Sequence, residues 1–93
     1  MSLSKQWREL DRDTVRSAPD RYALYEVGDA DGTTLGFGIG ALPDELRELL
    51  AYGLGSNVEQ TVDADEAGEP AKVRWELATS KRHAEQLLSE HVD

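Results

Sequence analysis

Between Thr33 and Leu50 the sequence TTLGFGIGALPDELRELL changes its hydrophobic period in mid-course. Leu35, Phe37 and Ile39 alternate with Gly36, Gly38 and Gly40, the period of two that a strand imposes. From Leu42 onward the leucines fall at 42, 46, 49 and 50, spaced as one face of a helix requires. Pro43 suits the first turn, Asp44 and Glu45 suit the positive end of the helix dipole, and Gly53 suits the position just past the end. A strand with one greasy and one nearly bare face therefore runs into a helix whose own stripe needs a sheet to cover. Glycine weakens a strand interior and commonly marks close approach of another backbone or a ligand, or a bulge. Cross-strand cover by Tyr25 or its neighbours is the simplest account of the bare face. The functional counterpart is a shallow groove walled by Tyr25 above Gly36 and Gly38.

The elements around this stretch follow from the same rules. RYALYEV reads as a strand from about Arg21 to Val27, GDADG as a tight turn, and Thr33 to Ile39 as the second arm of a hairpin. AKVRWELA places Val73, Trp75 and Leu77 on one face and Lys72, Arg74 and Glu76 on the other, which makes a third strand. Ser80 caps a last helix, with Ala84, Leu87, Leu88 and His91 or Val92 facing inward. The Gly- and acid-rich run from Gly53 to Pro70 is expected to be a flexible surface loop with a short ordered piece near Val58 to Val62. Trp7, Leu10 and Val15 are anchors that could dock residues 1–20 onto a single domain of residues 21–93. The expected fold class is α+β, in the order β-β-α-β-α: a three-stranded antiparallel sheet flanked by helices at Leu42–Tyr52 and about Lys81–Val92.

Size and charge bound the function. With 93 residues and no cysteine, the chain has room for one small domain held by packing alone, without disulfides or thiolate-bound zinc. It has no apolar run near the roughly 20 residues a membrane span needs, and MSLSKQWREL lacks the apolar core of a signal peptide. A soluble, cytoplasmic protein without membrane contact is the expectation. A net charge of −9 opposes non-specific binding to nucleic acid. Only Lys5, Lys72 and Lys81 are lysines, and an acid-rich, Lys-poor composition resembles that of haloarchaeal proteins. In molar salt the Debye length is about 3 Å, so the acidity then describes the solvent more than the partner.

Most motif-like runs dissolve on inspection. Gly36 to Ala41 spells the dinucleotide fingerprint G-x-G-x-x-G/A, but it lies on the second arm of a hairpin and leads to Asp44 and Glu45, where a pyrophosphate would sit. The run from Asp63 to Gly68 begins like a calcium loop, yet its twelfth position is Arg74, where a bidentate Glu is needed. His83 and His91 lie eight apart on one helix, too far to share a metal. No metal site and no cofactor are expected. Lys72, Arg74, Lys81, Arg82 and His83 form a basic cluster in an acidic chain, and three of them oppose the dipole of the last helix. They are candidates to bind a phosphate or carboxylate, or simply to pair with the protein's own surplus acids.

The layout RYALYEVGDADGTTLGFGIGALPDELREL followed by VRWELATSKRHAEQLL resembles the GIY-YIG nuclease superfamily over roughly residues 21 to 91. As a whole the chain is similar to small haloarchaeal proteins that open on WRELDRDTV…APDRYALYE. The resemblance implies a β-β-α-β-α core with one short motif on each hairpin strand. Its first motif, Gly-Ile-Tyr, falls on Ala23-Leu24-Tyr25, which keeps the tyrosine. The second, Tyr-Ile-Gly, falls on Gly36-Phe37-Gly38, which loses it. The helix arginine falls near Glu45 and the metal-binding glutamate near Leu88, with Glu85 and Glu90 out of register. Phosphodiester cleavage needs a metal ligand, cationic stabilisation and an activated nucleophile, and of the family's set only Tyr25 remains.

The expectation is thus a non-catalytic, nuclease-derived module that contacts a protein partner or a second copy of itself. Its binding candidates are Tyr25, Gly36 and Gly38, or the cluster of Lys72, Arg74, Lys81, Arg82 and His83. The alternative is a weak nucleic-acid binder or residual metal-dependent nuclease, using Tyr25, Arg47 and Glu85 or Glu90 in a shifted register.

Overall fold

The computed structural model describes residues 6–53, 58–60 and 69–92. In chain order the elements are β1 (Arg8–Glu9), α1 (Arg12–Ser17), β2 (Tyr22–Gly28), β3 (Thr34–Ala41), α2 (Leu42–Tyr52), β4 (Val58–Gln60), β5 (Lys72–Leu77) and α3 (Lys81–Val92). The sheet is antiparallel throughout, with strand order β1-β5-β2-β3-β4. The three expected strands form its middle, and two short strands extend its edges. No helix among the described residues is long and apolar enough to cross a membrane.

Alternation along the central strand builds two cores, one on each face. Ala23, Tyr25 and Val27 of β2 join Val73 of β5 and meet Leu42, Leu46 and Leu49 of α2. Leu24 of β2 and Phe37 of β3 meet Leu87 and Leu88 of α3 on the opposite face. Each fully buried aliphatic side chain contributes about 1.5–3 kcal/mol, so these stripes explain why both helices hold to the sheet. Leu50 departs from its expected place. It lies at the end of the helical stripe but remains 42% exposed, beyond the reach of the sheet.

The termini of the elements obey local chemistry. Asp29 Oδ1 accepts from the backbone N–H of Asp31 and Thr33 at 2.9 Å each, and Gly32 takes φ +84°, which closes the β2–β3 turn. Gly53, at φ +78°, ends α2 and donates its N–H to the Leu49 carbonyl at 2.9 Å. Ser80 Oγ accepts from His83 N at 3.2 Å, the expected cap of α3. A six-residue helix, α1, was not predicted, because its sequence RDTVRS carries one apolar residue. Its signal was the cap: Asp11 Oδ1 accepts from Thr14 N at 2.8 Å.

Two further differences concern the strands. The β2–β3 register shifts between Val27 and Gly28, so that Gly28 pairs with Thr34 and Val27 with Gly36. The bulge breaks the expected alternation and puts Thr34 on the Phe37 face, whereas strict period two had placed it with the glycines. Of the loop expected between Gly53 and Pro70, β4 supplies an ordered edge at Val58–Gln60. Residues 54–57 and 61–68, with the whole calcium-like run from Asp63 to Gly68, lie outside the described residues, as do the His91 and Val92 side chains.

Candidate functional site

On the α2 face the glycines of β3 leave room that side chains from two other elements fill. Tyr25 stands directly across from Gly38, and a Cβ on Gly38 would overlap its ring. Glu45 of α2 lies over Gly40, where a Cβ would meet its Cγ at 2.7 Å. The Tyr25 hydroxyl then donates to Glu45 Oε1 at 2.9 Å, joining the central strand to the helix. Tyr25 is 1% exposed, and Gly36 and Gly38 are buried. The groove expected there is closed, because the phenol that would have walled it fills the space over Gly38 while Glu45 fills that over Gly40. Burial, then the charge of Glu45 and its hydrogen bond, then the charge of Glu48, hold the Tyr25 phenol well above its ordinary value.

A charged network occupies the α3 face. Glu26, the single acidic residue in the expected strand RYALYEV, is fully buried. It accepts from Arg74 Nε at 2.8 Å and from Thr34 Oγ1, the residue that the bulge delivered to its face. The Arg74 guanidinium lies 4.0 Å from the Trp7 ring centre. Trp7 in turn covers Gly28, where a Cβ would come within 2.7 Å of the indole. One residue on, Arg8 lies 4.7 Å over the Trp75 ring. The Trp-Arg pair before and at β1 thus grips the Arg-Trp pair of β5, one cation over each face of the edge.

The basic cluster is divided by this geometry. Lys72 opens β5 and Lys81 opens α3, with the six residues of the strand, at about 3.3 Å each, running between them. Arg74 is committed to Glu26 and Trp7. His83 serves its helix, since Nδ1 accepts from the backbone N–H of Thr79 at 3.0 Å, reciprocal to the Ser80 cap. Lys81 and Arg82 are exposed on the first turn of α3. The shifted-register set is divided as well: Arg47 rides on α2, while Glu85 and Glu90 ride on α3 across the sheet. Among the described residues no three His, Asp or Glu side chains come together as a metal site would require.

Among the described residues a concavity lies elsewhere, between α1 and α2. It is an open groove of about 880 Å³ with Arg12 and Arg16 on one wall and Arg47 on the other, over a floor that includes Val15 and Leu50. Asp20 and Asp44 stand on its rim, and Asp44 pairs with Arg47 at 3.2 Å, with both side chains about 70% exposed (69% and 72%). Sequence reasoning had no helix at α1 on which to set Arg12 and Arg16 four residues apart, and so did not find this site.

A family model described as a domain of unknown function, DUF7508, matches residues 1–93. No curated protein and no solved structure matches the chain.

Proposed function

Since the chain belongs to the DUF7508 family across residues 1–93, we propose that this member uses a GIY-YIG-like α+β core as a non-catalytic, nuclease-derived interaction module. The observation that carries the reading is the buried Tyr25–Glu45 pair. A phenol that is 1% exposed and hydrogen-bonded to a carboxylate at 2.9 Å cannot reach a scissile phosphate. The resemblance sets the nucleases' helix arginine near Glu45, and a carboxylate there repels the charge that phosphodiester cleavage must stabilise. Gly36 and Leu88 supply neither a second phenol nor a metal ligand. What remains is a rigid small scaffold, and its acid-rich, Lys-poor surface fits work in a salt-rich cytoplasm, docked to a protein partner or to a second copy of itself.

Amide chemical-shift mapping in molar KCl tests the reading, with Mg²⁺ or Mn²⁺ added first and a short branched DNA second. The expected result is no localised shift at Tyr25, Gly36 or Glu45. Metal-dependent shifts centred there would return the protein to the nucleases.

A further inference from the structure

We infer that the groove between α1 and α2 docks an acidic segment of a partner protein, with one large apolar side chain seated on Leu50 and flanking carboxylates held by Arg12, Arg16 and Arg47. The inference rests on the non-catalytic reading and gives it a surface and a partner chemistry.

Charge complementarity is the first argument. The chain holds 10 basic residues against 19 acidic ones, yet three of its arginines converge on this groove. Arg12 and Arg16 share one side of α1 at i, i+4, a spacing at which like charges repel by a few tenths of a kcal/mol. Their guanidinium groups form no ion pair or hydrogen bond among the described residues. Arg47 has only the exposed Asp44, a pairing that water weakens. Arg16 complements the dipole at the end of α1 by only a few tenths of a kcal/mol, whereas an incoming carboxylate relieves the repulsion and takes two parallel N–H donors from each guanidinium.

The apolar floor is the second argument. Leu50 is 42% exposed among the arginines because the helical stripe has run past the edge of the core. A partner side chain over Leu50 and Val15 would bury that surface, and in molar salt this term persists while long-range attraction is screened within about 3 Å. Nucleic acid fits less well. The rim carries Asp20 and Asp44 as well as the arginines, and no aromatic residue lines the groove for a base to stack on.

The test is display selection of short random peptides on the full chain, with counter-selection on an Arg12→Glu/Arg16→Glu variant. Enriched peptides are then synthesised and titrated by fluorescence anisotropy. The expected peptides carry Leu, Ile or Phe between Asp or Glu. Arg47→Glu and Leu50→Ser should each weaken them about tenfold, which corresponds to about 1.4 kcal/mol. All substituted side chains are on the surface, and an unchanged thermal midpoint shows that the fold is kept. Enrichment of basic or uncharged peptides, no enrichment, or binding that ignores these substitutions overturns the inference. So does branched DNA binding that the same variants abolish, or self-association lost in Leu50→Ser. Failure of the peptides with Tyr25 still silent to metal removes only the groove; metal response at Tyr25 removes the non-catalytic reading instead.

Discussion

Gly38 and Tyr25 show how one small and one large residue are fitted to each other across a pair of strands. Gly38→Ala sets a methyl group against the Tyr25 ring, which cannot withdraw because its hydroxyl is tied to Glu45. Overpacking of this kind costs about 1–3 kcal/mol, and the urea midpoint should fall accordingly. The phenol itself sets a pH dependence. Its folded value lies above the unfolded one of about 10, so the folded state keeps a proton that the unfolded state releases. The stability contributed by the neutral phenol is therefore whole below about pH 10 and is lost as pH rises beyond it. Unfolding followed across that range should show a steeper alkaline loss in the native chain than in Tyr25→Phe. An equal slope in both would contradict the burial of the Tyr25–Glu45 pair. The bare glycine face was visible in the alternation of TTLGFGIG, and so was the choice of Tyr25 as its cover. Glu45 was not, because its reach back to Gly40 depends on the angle at which α2 leaves β3.

Among the elements, the edge made by β1 and β5 depends most on contacts that no periodicity announces. β1 spans two residues, too few for a strand pattern, and it is held by what flanks it: Trp7 on Arg74, Arg8 on Trp75, and Leu10 N–H donating to Ala71 O at 3.0 Å. A double-mutant cycle with Trp7→Ala and Arg74→Met should return a coupling of about 0.5–2 kcal/mol. Trp7→Ala should also speed hydrogen exchange at Leu10, whose donor bond closes this edge. The Arg74 variant carries the larger single cost, because it leaves the Glu26 carboxylate buried without its cation, a loss of about 3–5 kcal/mol. By contrast α2, β5 and α3 were legible in detail. Their leucine stripes, the alternation of AKVRWELA and the Ser80 cap are local signals that the tertiary packing reinforces. The bulge at Leu35 was hidden because it depends on pairing with β2, and it was this bulge that moved Thr34 to Glu26.

At the scale of the whole molecule, a sheet covered on both faces leaves its openings where helices meet each other. Tyr25, Gly36 and Gly38 went into the core, the basic cluster was divided along β5 and α3, and among the described residues an accessible concavity formed between α1 and α2. Under the proposed reading, the α+β core keeps a nuclease-like architecture while the buried Tyr25–Glu45 pair closes the place where cleavage would occur. The most direct measurement is a cleavage assay on labelled branched and single-stranded DNA, in molar KCl with Mg²⁺ or Mn²⁺, comparing the native chain with Tyr25→Phe. The account predicts no metal-dependent product from either protein. Product formed by the native chain and lost in Tyr25→Phe would contradict it.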